Sequence, residues 1–433
     1  MNAEGGAAPV GVVGCGWVGL VTAAGFAEMG HRVIGIETNP ERLASLRAGG
    51  VPFHEPDLAT VLESCGDRIE FTDQIDELSA CELAFVCVGT PSTETGEANL
   101  DAVDASTAEV AALSGPSIVM KSTVPAGTGD RIRAANPETA YVSCPEFLRE
   151  GSAMDDFRSP ARVVVGADEF SASVADKVEA LYEPLGAPVQ RTGLASAEMI
   201  KLASNAFLAT KISFVNEIAN VSEQVGADVA EVAEGMGLDP RIGAGFLNPG
   251  LGYGGSCFPK DVRALQALAG SSGYSFQLLS AVIEVNDRQK QRVMDKLTDN
   301  LGDLSGKRIA LLGLSFKPGT DDMREASSIF LAHRLEEAGA EVTGYDPVAA
   351  QTAAEVLPDV ALAESALDAV DQADAAVVVT EWPEFADLDW SAAALAMSGN
   401  LVIDGRNCLP ADDLLAAGFV IESIGRPRRE GTA

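Results

Sequence analysis

Short apolar runs separated by helical stretches set the plan of this chain. Val10–Val13 leads into Gly14-Cys15-Gly16-Trp17-Val18-Gly19, then a helical stretch from Leu20 to Gly30, then a run from His31 to Glu37 that ends in an acid. Strand, glycine turn, helix and strand is the order of a βαβ unit. Leu83–Val88, Ser117–Lys121 and Ala140–Ser143 read as further strands. Each is followed by polar or turn residues: Gly89-Thr90-Pro91, Ser122-Thr123-Val124-Pro125, and Cys144-Pro145-Glu146-Phe147-Leu148-Arg149-Glu150. Open α/β sheets bind ligands beyond the carboxyl ends of their strands, so three such turns in succession mark a binding edge.

From Ser196 to Gly226 the apolar spacing is helical, with no Gly or Pro inside. A helix of that length is able to connect two domains. Lys201 and Asn205 share one of its faces, as either a solvated surface pair or a functional one. The α/β pattern returns near Gly306, with a strand from Lys307 to Leu314, the segment Ser315–Arg324, a helix over Ser327–Ala338 and a strand from Glu341 to Asp346. Ala375–Thr380 and Leu401–Asp404 complete it. This repeats the N-terminal plan without its GxGxxG, as expected of a second Rossmann-like domain adapted to another nucleotide ligand. The expected fold is α/β, with two Rossmann-like domains of parallel strands joined by a long central helix and a helical middle domain. The expected bounds are 1–194, 195–300 and 301–433.

Composition narrows the chemistry. With 433 residues, 47% of them hydrophobic, the chain is globular, and no apolar run approaches a membrane span. Its net charge of −34 opposes nucleic acid and anionic membranes as partners. Only nine of the 30 basic residues are lysines, a bias that fits either a salt-rich cytoplasm or GC-rich coding. The seven cysteines are scattered without a CxxC, and His31, His54 and His333 are far apart in sequence. Neither a disulfide framework nor a metal site is expected. Met1–Pro9 has no basic region and no secretory apolar core, which points to a cytoplasmic protein.

Two motifs carry the candidate chemistry. In Gly14–Gly19, glycines allow a tight turn, close approach of a pyrophosphate and close helix–strand packing. Glu37 stands where an acid reads the ribose, and it favours NAD over NADP by repelling a 2′-phosphate. Farther on, Gly252-Tyr253-Gly254-Gly255-Ser256-Cys257-Phe258-Pro259-Lys260-Asp261 sets one thiol among glycines, a cation and a carboxylate. Packing cysteines sit among apolar neighbours. These surroundings instead suit an accessible nucleophile.

Taken in order, these segments resemble the UDP-glucose/GDP-mannose dehydrogenase family from Val10 to about Ile424. The run around Cys257 and the stretch Lys317–Glu325 are most similar to its UDP-glucose branch; GDP-mannose enzymes typically have Leu where this chain has Phe258. The resemblance implies oxidation of the 6-hydroxyl of a nucleotide sugar to a carboxylate, with two NAD⁺ and one water. UDP-glucose is the expected substrate, with GDP-mannose, TDP-glucose or a UDP-N-acetylhexosamine as alternatives. It implies catalytic roles for Cys257 as nucleophile, Lys201 and Asp261 in proton transfer, Lys201 and Asn205 as oxyanion donors, and Glu150 with Thr123 at the hydrolytic water. Cofactor contacts are implied for Gly14, Gly16, Trp17, Val18, Gly19, Glu37, Thr38, Arg42, Val88, Gly89, Thr90, Pro91, Ser122, Thr123, Glu150, Lys260 and Arg324. Substrate contacts are implied for Glu146, Phe147, Leu148, Arg149, Glu150, Lys201, Asn205, Phe246, Leu247, Asn248, Gly252, Tyr253, Gly254, Phe316, Lys317 and Arg406. Arg241 resembles a position that reaches a neighbouring subunit's site, so at least a homodimer is implied.

Overall fold

The computed structural model describes residues 8–431, so the first seven residues of the Met1–Pro9 stretch read above lie outside it. The chain divides into two compact units. One comprises residues up to Ser204 with Arg263–Tyr274; the other comprises Asn205–Val262 with Ser275 onward.

The first unit holds a sheet of eight strands: β1 (Val10–Val13), β2 (Val33–Ile36), β3 (Ile69–Thr72), β4 (Leu83–Val86), β5 (Ser117–Met120), β6 (Tyr141–Ser143), β7 (Val163–Ala167) and β8 (Val189–Thr192). Their order is 3-2-1-4-5-6-7-8, so the direction of winding reverses between β1 and β4. Successive residues of each strand face opposite layers. Val12, Phe85 and Val119 join one core, while Val13, Val86 and Met120 join the other. Both faces are covered, which is why these strands are apolar throughout rather than alternating. Phe26, Phe85, Phe157 and Tyr182 pack edge to face or tilted at the centre of the first core, with Phe26 and Phe85 ring centroids 5.0 Å apart.

The second unit holds β9 (Arg308–Leu312), β10 (Glu341–Tyr345), β11 (Ala361–Leu362), β12 (Ala375–Val378), β13 (Leu401–Asp404), β14 (Val420–Ser423) and β15 (Arg429–Glu430). Their order, 11-10-9-12-13-14-15, repeats the first sheet's winding, with the same reversal beside its first strand. Leu311, Val377 and Ile403 face one core; Leu312, Val378 and Val402 face the other.

The expectation of parallel sheets needs one correction in each. β7 runs antiparallel to β6, and β15 runs antiparallel to β14. The five residues between β14 and β15 are too few for a parallel crossover, which needs a dozen or more. Several strands are also shorter than their apolar runs. β2 ends at Ile36 because the next residue, Glu37, turns its carboxylate to local donors. β4 ends at Val86, whose carbonyl accepts from both Lys121 and Ser122 amides.

The central helix spans Leu194–Val225 and ends at Gly226, whose φ of 74° is the left-handed geometry that closes helices. Its first residues belong to the first unit and the remainder, from Asn205, to the second. Leu194, Ala197, Glu198, Lys201, Leu202 and Asn205 lie on its buried stripe.

Candidate active site

The dinucleotide turn is built as its glycines require. Gly14 has φ 88° and donates its N–H to the Ile36 carbonyl at 2.9 Å, tying the turn to β2. A side chain at Gly19 would stand 1.8 Å from the Gly14 carbonyl oxygen, so this glycine lets the helix Trp17–Glu28 begin against the turn. Gly16 differs: apart from its chain neighbours, no atom of the described residues lies within 4 Å of where its Cβ would be, so packing among them does not demand it. It caps that helix with no side-chain hydrogen bond, and the first turn carries no acid. The N–H groups there are thus left to an anion, which the helix dipole favours. Trp17 and Val18 pack against the core of this unit, and the Trp17 indole donates to Glu55 at 2.9 Å.

Glu37 is buried. It accepts from the Asn39 amide at 2.8 Å and from the Arg42 guanidinium at 3.2 Å, while Thr38 is exposed. The strand-end turns are bonded to one another. Thr90 donates to the Thr123 carbonyl at 3.0 Å, and Ser122 donates to Val88 at 2.7 Å. Gly89 and Pro91 are exposed beside them.

Beyond β6, Glu146 and Lys201 form an ion pair at 2.8 Å with both side chains only 4% exposed. Burial pushes the Glu146 carboxyl up. The Lys201 ammonium, its hydrogen bond and the Leu148 amide outweigh this and hold it below the usual carboxylate range. Phe147 lies under two cations, with the Arg162 guanidinium 3.7 Å and the Lys201 ammonium 5.4 Å from its ring centre. Leu148 is half-buried, Glu150 is buried, and Arg149 is turned outward in an ion pair with Asp156.

In the second unit, Cys257 directly precedes the helix Phe258–Ser271, whose N-terminus favours negative charge. It is partly exposed, and its sulfur is 3.5 Å from the Ser256 hydroxyl. One turn on, Asp261 is 1% exposed. Its two oxygens accept from Asn205 at 2.6 Å and from Lys260 at 2.5 Å. The glycine run folds against the segment after β9. Gly255, at φ 80°, donates to the Arg324 carbonyl at 2.9 Å, and a Cβ on it would strike the Phe316 ring at 2.6 Å. Arg406 ties the same region together, donating to Val379, Gly252 and Phe316 carbonyls. Tyr253 and Phe246 both pack near Phe258, at 6.0 and 6.1 Å between ring centres. Phe246 has φ 64°, a strained value for an aromatic residue, and it separates Gly245 from buried Leu247 and exposed Asn248. The Lys317 ammonium lies 5.6 Å from the Phe316 ring centre.

The structure therefore gathers the sequence-derived residues into groups: the strand-end turns, the Glu146–Phe147–Lys201 set, the Asn205–Asp261–Lys260 set beside Cys257, and the glycine run with Phe316 and Arg406. Lys201 and Asn205, one turn apart on the central helix, anchor the middle two. Arg241 stands apart, its 87% exposed side chain paired with Asp239, while Arg324, whose carbonyl meets Gly255, turns its side chain to Asp322. Sequence reasoning missed several supports. Glu55 accepts from Trp17, Gly151 and Ala153; Asn286 brackets Tyr253 through its amide and carbonyl; and Glu198 holds the turn after β5.

A dinucleotide-binding unit combined with a second unit that carries a thiol at a helix start defines a nicotinamide-dependent dehydrogenase equipped for a covalent step. The chain belongs to the UDP-glucose/GDP-mannose dehydrogenase family. That family's NAD binding domain matches residues 8–186, its central domain residues 195–288, and its UDP binding domain residues 310–411. The chain is 46% identical to the UDP-glucose 6-dehydrogenase AglM of Haloferax volcanii, covering 91% of this chain and 96% of that protein. It is 42% identical to the UDP-glucose 6-dehydrogenase TuaD of Bacillus subtilis, covering 98% and 94%. Among solved structures, a UDP-glucose dehydrogenase from Pyrobaculum islandicum superposes with a TM-score of 0.90 at 36% identity, over 98% of this chain and 99% of that one. The cofactor is NAD.

Proposed function

We propose that this enzyme oxidises the 6-hydroxyl of UDP-glucose to UDP-glucuronate in two hydride transfers through a thioester on Cys257. The reading rests on Cys257 standing at a helix start with Asp261 one turn on, held by Asn205 and Lys260, in a chain 42% and 46% identical to enzymes of that name. The turn Gly14–Gly19 and Glu37 would hold NAD, which accepts the hydride in each oxidation.

The chain's own groups supply the rest. In the first oxidation the hydroxyl proton passes to Asp261 through a water. The Cys257 thiolate then attacks the aldehyde; a C–S bond forms and the carbonyl pair moves to oxygen. That oxyanion is met by the Lys201 ammonium and the Asn205 amide. The ion pair with Glu146 favours reading Lys201 as a donor to this oxyanion. Loss of the second hydride leaves a thioester. Water, activated by Glu150 with Thr123, adds to the thioester and breaks the C–S bond to give the carboxylate and the Cys257 thiolate, its two protons passing to solvent. The test is a substrate panel with NADH counted per sugar. Two NADH from UDP-glucose is expected; one NADH, or preference for GDP-mannose or an N-acetylated UDP-sugar, overturns the reading.

The assembly proposed is a homodimer through the central helix. Phe207, Phe214 and Val221 recur every seventh residue and are 65%, 50% and 58% exposed, with Val225 at 71% just beyond. A sevenfold apolar repeat is the spacing of a helix–helix seam. Arg241 would then reach the second copy's substrate. Sedimentation of Phe207→Asp/Phe214→Asp should give monomers; an unchanged mass rejects this seam. Seven free thiols fit a reducing, cytoplasmic setting, which fractionation tests.

A further inference from the structure

The turn after β5 is fastened by a carboxylate that the chemistry above does not use. Thr123 is followed by Val124 and Pro125 and then by the helix Thr128–Ala135, capped by Gly127 at φ 96°. The N–H groups of Gly127 and Gly129 both point at Glu198 of the central helix, one onto each carboxylate oxygen, each at 2.7 Å. Glu198 is 2% exposed. Gly129 is required for the approach, since a Cβ there would stand 2.9 Å from Glu198 and 2.7 Å from the Tyr141 ring. One turn along the same helix, Lys201 holds Glu146. Two adjacent residues of the helix's buried stripe thus fix the turns that follow β5 and β6.

We propose that Glu198 is a positioning residue for the reaction: its ionised carboxylate latches the 124–129 turn to the central helix and so sets the place of Thr123. The proposal rests on the role read for Thr123 above. Two N–H donors suit a carboxylate, which accepts at both oxygens. Protonation turns one oxygen into an O–H donor facing an N–H, and one of the two bonds is lost. Burial, with Asp130 adding to it, raises the Glu198 carboxyl to about 7, against the lowering effect of the amides. The groups beside it are Asp130 on the helix Thr128–Ala135 and Tyr141 on β6, whose buried hydroxyl has no hydrogen-bond partner among the described residues; Arg131 on that helix pairs with Asp104. On its own helix, Lys201 is committed to Glu146.

The direction of the effect separates positioning from plain stability. An acid raised above its unfolded value binds its proton more readily when folded. Through this group, acidification from about 7 toward 4.5 therefore favours the folded state. A loss of activity caused by this group over that range would therefore not come from its destabilising the fold.

Three measurements decide it. First, wild-type kcat should fall as pH drops through about 7. Glu198→Gln, a mimic of the protonated form, should be flat across that range and roughly 10- to 100-fold slower than wild type at pH 8. Wild-type kcat in the variant, or an unchanged acid limb, overturns the proposal. Second, hydrogen exchange of the peptide spanning 122–131 in the unmodified enzyme, corrected for intrinsic rates, should show protection falling through the same pH. Constant protection overturns the latch without any variant having to fold. Third, Glu198→Gln combined with Thr123→Ala should be no slower than Thr123→Ala alone. Additive losses reject action through Thr123. A fully active Thr123→Ala enzyme instead rejects the role given to Thr123, and the exchange result still judges the latch.

Discussion

The two sheets of this protein start alike and diverge within three residues. Gly14 and Gly313 each follow a first strand, at φ 88° and 89°, and each donates its N–H to the last carbonyl of the neighbouring strand, Ile36 or Tyr345. Each neighbouring strand is followed by an acid, Glu37 or Asp346. From there the first chain segment enters its helix at Trp17, whereas the second runs through Ser315–Ala326 before its helix begins at Ser327. The acids follow suit. Glu37 takes the Asn39 amide at the cap of the next helix and the Arg42 guanidinium from that helix's first turn. Asp346 takes the Leu314 and Ser315 amides, the Ser315 hydroxyl and the Trp382 indole on one oxygen, and the Val348 and Ala349 amides on the other. An acid at the end of a second strand is thus no ribose reader by position alone. In the second unit the protein's own amides, a hydroxyl and an indole take up the acid, and that unit matches a UDP binding domain.

The most severe way to probe this division is to remove the proposed nucleophile, Cys257, which belongs to the second unit alone. Cys257→Ser should lower uronate formation by at least ~10³-fold, the order lost with an essential nucleophile. The first oxidation needs no bond to residue 257, so aldehyde-level product or a slowly decaying adduct should build up. Single-turnover mass spectrometry with UDP-glucose and NAD⁺ reads this directly. Uronate at near wild-type rate would sink the thioester route.

Next in size is the effect of the two acids on stability. Asp346→Ala strands buried donors at both ends of the Leu314–Ala349 region and should cost about 3 kcal/mol or more in urea unfolding. Glu37→Ala strands one amide and one guanidinium that is itself part-exposed, and should cost about 1 kcal/mol. Equal losses would mean that the two acids do the same work and that the contrast drawn above is wrong.

That contrast also shows what the sequence displays and what it hides. Apolar runs and glycine turns are local, so five strands of the first sheet, four of the second and the Cys257 run could be read directly, whereas β3, β7, β8, β11, β14 and β15, with the strand order, were not. The polar supports are not local: Glu55 bonds amides 96 and 98 residues away, Glu198 bonds amides 71 and 69 away, and Asn286 brackets Tyr253 from 33 away. No spacing rule links such partners. A signal existed for Glu198 nonetheless. It lies in helical phase with Leu194, Lys201, Leu202 and Asn205, and an acid on an apolar stripe has to find donors. The strand ends were misplaced for a related reason. Glu37 and Asp346 look like continuations of their strands, yet their side chains are spent on the turns.

The finest test of the comparison is cofactor choice at Glu37. Its carboxylate holds the Arg42 guanidinium at 3.2 Å, and the Arg42 side chain is 41% exposed. In Glu37→Ser the repulsion of a 2′-phosphate is gone and a cation formerly neutralised is left beside the ribose position. A hydrogen bond to a charged group contributes about 1.5–3 kcal/mol, so kcat/KM for NAD⁺ should fall roughly 10- to 100-fold. NADP⁺ should gain, and the gain should vanish when Arg42→Ala is added, because the guanidinium is the only new attraction invoked. The same change at the equivalent acid, Asp346→Ser, should leave the ratio of NAD⁺ to NADP⁺ activity where it was, whatever it does to stability. Steady-state rates with both cofactors measure all three variants. A Glu37→Ser enzyme that folds and still discriminates against NADP⁺ as wild type does would place cofactor selection elsewhere in the first unit.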